Sequence, residues 1–232
     1  MPETLTSYYL PSSSGYVTAA AILLHGHGNN GNQLAQYAAF LNQALPQAVL
    51  YLPNAPFEVE RGDPQRRRWF SLEDYDRNTA RTDAAKRAAM FAAAPEKIAD
   101  GAARLSRFID QVQAHHHLSA SRIALVGFSQ GAMMALYAGL RRADQLAGIL
   151  SYAGALFATG MLSAEIKSKP SIMLIHGEDD MVVPVETVAD TKNALDAANV
   201  LYQAHTIPAL QHGIDGVGAQ IGITYLRGIF TV

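Results

Sequence analysis

Short, uniformly apolar runs alternate with segments whose apolar residues recur at helical spacing. Ala19 to Leu24, Ala48 to Leu52 and Ile123 to Val126 carry no polar alternation. Such runs suit strands buried on both faces, as in a parallel sheet. Leu146 to Ala153, Ser171 to Ile175 and Tyr202 to Ile207 read as further strands. Between them lie helical patterns. Leu34, Tyr37, Ala38, Leu41 and Leu45 share one face over Asn32 to Leu45, and Ile98, Ala102, Leu105, Ile109 and Val112 share another after Pro95. Pro95 is suited to a first helical turn. Helices are also expected over Thr82 to Ala94, Ala132 to Arg141, Thr187 to Ala198 and about Gly216 to Phe230. Residues 1–15 read as an edge strand and a turn, and 57–80 as irregular.

Alternating strands and helices predict an α/β chain with a mainly parallel sheet and helices on both faces. There is no internal repeat and no linker-like stretch, so one domain over 1–232 is expected. In such sheets active sites lie beyond the carboxyl ends of the strands. His25, Ser129, Asp180 and His212 all follow expected strands closely.

Composition narrows the class. Apolar residues make up 49% and charged residues 16%, which fits a chain with a sizeable core and excludes a disordered one. Eighteen basic against 20 acidic residues leave a net charge of -2, giving no reason to expect nucleic acid or an anionic membrane as partner. Cysteine is absent, which removes disulfides, a thiolate nucleophile and cysteine-ligated metals. The first residues, Met1-Pro2-Glu3-Thr4, lack a basic segment followed by an apolar core, and no apolar run approaches the ~20 residues needed to span a bilayer. A cytoplasmic enzyme without a signal peptide is therefore expected.

The chemistry centres on Gly127-Phe128-Ser129-Gln130-Gly131, between a strand and a helix. This is the pattern of a nucleophile elbow, in which a sharp turn exposes the serine and glycines allow close packing. A serine hydroxyl needs a base, and the base needs an orienting acid. In α/β-hydrolases the chain order is serine, acid, histidine. Among the eight histidines, His212 sits in a loop after the last strand, between Gln211 and Gly213. His205 lies within a strand. His115, His116 and His117 fan ~100° apart on a helix and cannot converge on a metal. His176 reads as a structural loop residue. Glu178, Asp179 and Asp180 all compete for the acid role, and spacing alone does not separate them. An oxyanion requires two donors. The backbone N–H of Gln130 is one. The glycine-dense His25-Gly26-His27-Gly28 loop offers the N–H of His27 as the other.

Taken together, Leu24-His25-Gly26-His27-Gly28, Trp69-Phe70, the elbow, His176 to Pro184 and His212-Gly213-Ile214 resemble the phospholipase/carboxylesterase family of α/β-hydrolases. That family includes acyl-protein thioesterases and small bacterial carboxylesterases, and the resemblance covers nearly the whole chain. It implies Asp180 as the acid, beside Ser129 as nucleophile and His212 as base, with the amides of His27 and Gln130 as oxyanion donors. It implies that Trp69 and Phe70 lie beside the acyl pocket. It also implies a small-molecule or lipid acyl ester as substrate, and neither metal nor organic cofactor. Many thioesterase members carry an aspartate where this chain has Asn29, and the alanine-rich Arg77 to Ala94 stretch departs from the eukaryotic pattern. Both lean toward a bacterial carboxylesterase. A lysophospholipase or thioesterase, or a non-catalytic binding protein on the same fold, are the competing readings. Acyl length, alcohol or thiol preference and a homodimer are left open.

Overall fold

The computed structural model describes residues 5–73 and 75–230. Its centre is a seven-stranded sheet. The strands are β1 (Ser7–Leu10), β2 (Ala19–Leu24), β3 (Ala48–Pro53), β6 (Ile123–Phe128), β7 (Gly148–Tyr152), β8 (Ser171–Gly177) and β9 (Tyr202–Ile207). A hairpin of β4 (Phe57–Glu58) and β5 (Arg67–Arg68) stands apart from the sheet. The helices are α1 (Ala35–Ala44), α2 (Arg77–Thr82), α3 (Ala84–Ala92), α4 (Ile98–His116), α5 (Gln130–Leu140), α6 (Leu162–Glu165), α7 (Glu186–Ala197) and α8 (Gly216–Phe230).

The strand order is β1-β3-β2-β6-β7-β8-β9. Only the edge strand β1 runs antiparallel, against β3. The chain winds outward from β2 to β3, then crosses back to continue from β6 on the other side of β2. The order thus reverses between β2 and β6, and the crevice beyond their carboxyl ends is where such sheets bind ligands. Strand period two explains the continuous apolar runs. Ala20, Ile22 and Leu24 enter the layer under α4 and α5, whereas Ala19, Ala21 and Leu23 enter the layer under α1 and α8.

Three local expectations change. The helix expected over Thr82 to Ala94 is α3, which starts later because Asp83 is extended and its carboxylate accepts the Lys86 amide as a cap. A separate helix, α2, ends at Thr82 after running through part of the stretch read as irregular. Pro95 lies outside the first turn of α4. Its carbonyl accepts the Ile98 N–H, and Lys97 in the left-handed region starts the helix. His176 is the penultimate residue of β8 rather than part of a loop.

The loops at the crevice are held from below. His25 is buried, Nε2 accepts from the Ala55 amide at 2.9 Å, and Nδ1 faces the Gly26 carbonyl at 2.8 Å. One acceptor and one donor describe a neutral ring. Burial is the main reason its pKa falls to about 4, helped by nearby Arg67 and His27 and opposed by the Gly26 carbonyl. The far layer is close-fitting too. Tyr152 bonds Tyr37 hydroxyl to hydroxyl at 2.7 Å and reaches the Gly218 carbonyl at 3.1 Å, directly under Gly222.

Gly222→Ala would drive a methyl group into the Tyr152 hydroxyl. Denaturant unfolding should show a loss of about 1–3 kcal/mol; an unchanged midpoint would mean that α8 is free to lift. Acidification tests His25. The unfolded chain takes up a proton near pH 6.5 and the folded chain only near pH 4, so stability should fall as pH drops through that window. His27 and His116, both lowered chiefly by burial, act in the same direction. A thermal midpoint that holds or rises from pH 6.5 to 4 would contradict the pinned, neutral ring.

Candidate active site

The elbow is a constraint on packing before it is a site. Ser129 has φ 56° and ψ −120°, a region that residues with a side chain avoid. It is tied by its own N–H to the Tyr152 carbonyl at 2.9 Å, across to β7. A Cβ at Gly127 would land on Ala132 of α5, and one at Gly131 on the Leu24 and His25 carbonyls at the end of β2. Glycine at both positions therefore lets strand, helix and neighbouring strand close up around the serine. Ser129 sits at the N-terminus of α5, where unpaired amides favour negative charge.

Asp180 and His212 meet because two loops are sewn together. Glu178 N–H donates to the Ile207 carbonyl and Asp179 N–H to the Leu210 carbonyl, both at 3.0 Å. A side chain at Gly177 would strike Leu210. The loop after β8 thus lies against the loop after β9. Asp180 turns inward and is buried, while Glu178 and Asp179 face solvent. One carboxylate oxygen of Asp180 accepts the Val182 and Val183 amides at 2.8 and 2.9 Å. The other receives His212 Nδ1 at 2.7 Å and lies 3.3 Å from His176 Nε2. Burial alone would push this carboxyl up. The hydrogen bonds of His176, His212 and the Val183 amide outweigh it and hold the group well below the usual carboxylate range. A carboxylate on Nδ1 keeps the His212 proton there and leaves Nε2 as the basic nitrogen. The His212 ring packs against Phe128, with centroids 5.0 Å apart.

Ser129 and His212 line one cleft of about 420 Å³, together with Gly26, His27 and Gln130. Among the described residues no hydrogen bond joins the serine hydroxyl to the imidazole. Gly26 N–H is engaged by the Gln33 side chain at 2.8 Å and Gly28 N–H by the Arg67 carbonyl at 2.9 Å. The intervening His27 amide has no acceptor among the described residues, and neither does the first-turn amide of Gln130. No three His, Asp or Glu side chains among the described residues converge as a metal site.

Trp69 and Phe70 are not on the cleft wall. Both are fully buried, and Leu72, Tyr75, Met133 and Val182 form the wall instead. Their hydrogen bonds run instead to the elbow and to the loop after β2. Trp69 Nε1 donates to the His25 carbonyl at 2.9 Å, and its backbone N–H donates to the Gln130 side chain at 2.8 Å. Gln130 Nε2 then donates to the Phe70 carbonyl at 3.0 Å. The pair clamps the 57–94 segment to the elbow and to the loop after β2. Sequence reasoning missed this bridging role of Gln130, the His176 contact and the Leu72–Tyr75 wall. A glutamine inside the elbow was the available signal for the first; the wall lies in a segment with no periodicity to read.

The phospholipase/carboxylesterase family profile matches residues 10–229. Esterase YpfH of Escherichia coli (strain K12) is 25% identical over 211 residues, covering 89% of this chain and 81% of that protein. The solved structure of esterase PE8 is 32% identical, spans 98% of this chain and 100% of its own, and superimposes with a TM-score of 0.84. The fold is also that of Zea mays acyl-protein thioesterase 2, at 21% identity and a TM-score of 0.72 over 97% of this chain and 99% of that one. With the sheet order, the strained serine and these likenesses in hand, the chain belongs to the phospholipase/carboxylesterase family of α/β-hydrolases and is a carboxylesterase/phospholipase-type hydrolase.

Proposed function

We propose that the protein cleaves carboxylic esters through an acyl-enzyme intermediate, with Ser129 as nucleophile, His212 as base and Asp180 as its orienting acid. One observation carries this reading: the 2.7 Å contact between His212 Nδ1 and a buried Asp180 that is itself held by two amides. That arrangement leaves a basic Nε2 on the cleft that also holds Ser129. Attack on the ester carbonyl forms the Ser129 Oγ–carbon bond as the hydroxyl proton passes to Nε2. The amides of His27 and Gln130 receive the oxyanion. His212 then returns the proton to the leaving oxygen, and water deacylates the serine along the same path. Leu72, Tyr75 and Met133 supply apolar wall for the acyl arm, supported from behind by Trp69 and Phe70.

A thioester is the second reading. A stretch of 70 residues is 40% identical to acyl-protein thioesterase 1 of Gibberella zeae, but it spans only 28% of this chain and 30% of that protein. Capture without catalysis is disfavoured physically, because binding alone has no use for a carboxylate turned onto an imidazole.

Ser129→Ala should lower p-nitrophenyl ester turnover by several orders of magnitude with an unchanged thermal midpoint. Survival of activity within tenfold would remove the serine from the mechanism. Asp180→Asn should cost about 10³–10⁴ in kcat, since an amide donor at this place favours the wrong His212 tautomer. A loss below tenfold would show that the carboxylate only supports the loop.

A further inference from the structure

A second cavity opens beside the first. It encloses about 640 Å³ between α1 and α8, and it shares Gln33 and Phe128 with the Ser129 cleft. Its walls are mainly apolar: Tyr37 and Phe40 from α1, Ile214 just past His212, and Ala219 and Ile223 from α8. The Tyr37 hydroxyl is spent on Tyr152, so the tyrosine contributes ring rather than donor. Phe40 is 57% exposed on the lip of this groove, a costly place for a phenyl ring with nothing to cover it. A volume of this order is what a small organic group fills.

The chemistry of the reaction gives the two cavities different occupants. The proton taken from Ser129 must be delivered by His212 to the oxygen of the breaking carbon–oxygen bond. That oxygen, and whatever it carries, therefore leaves on the histidine side of the carbonyl. Phe128 packs on the His212 ring and is also a wall of the α1–α8 groove, and Ile214 follows His212 by two residues. Leu72, Tyr75 and Met133, the wall assigned above to the acyl arm, belong to the Ser129 cleft and not to the α1–α8 groove. We propose that the α1–α8 groove is the leaving-group site and that it takes an apolar alcohol, so that the preferred substrates are esters of hydrophobic alcohols. This rests on the serine-hydrolase reading above and adds the class of alcohol. The bond that breaks is the acyl carbon–oxygen bond; the alcohol departs with the former Ser129 proton, and the acyl group stays on Oγ until water removes it.

Two ester series separate the arms. One keeps the acyl group as acetate and lengthens the alcohol from ethyl to octyl. The other keeps p-nitrophenol and lengthens the acyl group from acetate to octanoate. Both are run on the wild type, on Ala219→Trp, which fills the groove, and on Phe40→Ala, which strips its lip at an exposed position and carries the test if the tryptophan variant does not fold. In the wild type kcat/KM should rise along the alcohol series. The octyl-to-ethyl ratio should fall about tenfold in Ala219→Trp and about threefold in Phe40→Ala, while the octanoate-to-acetate ratio moves less than about twofold. A fall in the acyl ratio instead would place the acyl arm in the groove and overturn the assignment. No change in either ratio would overturn it as well. Persistence of p-nitrophenyl acetate hydrolysis in Ser129→Ala would, by contrast, overturn the serine-hydrolase reading itself.

Discussion

The close approach of three backbones at the elbow governs the rest of the molecule. β6, α5 and the end of β2 come together with no room for a side chain at Gly127 or Gly131. That contact forces Ser129 to a positive φ and holds it over the first turn of α5. It also brings the His25–Gly28 loop beside the serine, because β2 and β6 are paired neighbours through Leu24 and Gly127. The backbones of His27 and Gln130, proposed above as oxyanion donors, are thus brought to one cleft by strand order and need no dedicated side chain.

Around this point the polar groups form supports of different kinds. Gln130 bridges the backbone of Trp69 and Phe70, and Trp69 reaches the His25 carbonyl, so the 57–94 segment is bonded to the elbow and to the loop after β2 at several points. Asp180 is held by amides of its own loop and by two imidazoles. A charge this deeply buried persists only when its lone pairs are occupied, and here they are. The supports lie in the fold, and His27, Gln130 and His212, whose amides and Nε2 have no partner among the described residues, line the cleft. On the proposed mechanism such an asymmetry is what preorganisation requires: donors fixed where charge would develop, with no protein partner to displace first.

The relation between chain and fold was uneven along the sequence. Strands with both faces buried were legible, because a parallel sheet covered by helices on both sides imposes continuous apolar runs such as Ala19 to Leu24. The elbow was legible because close packing demands glycine at fixed positions. Boundaries were less so. Asp83, by capping α3, separates it from α2, a helix in a stretch whose sequence shows no helical period. The 57–80 segment has no period, so nothing in it distinguished residues that face the cleft, Leu72 and Tyr75, from residues that anchor it, Trp69 and Phe70.

The sequence by itself determined the α/β class, the family resemblance, the elbow serine and the order in which acid and histidine follow it. Each of these is written in local pattern: burial period, glycine at a tight turn, residues placed just after strands. Among the three adjacent acids, local spacing left the choice open and the family resemblance implied Asp180; the tertiary structure adds that Asp180 is the one turned onto His212. Asp180 turns inward because the loops after β8 and β9 are bonded to one another, and that pairing joins residues distant in the chain. The same holds for the burial of Trp69 and Phe70 and for the groove between α1 and α8, whose walls come from opposite ends of the sequence. Which side chains meet across a sheet depends on how helices dock, and docking is a property of summed surfaces that no short stretch of residues contains.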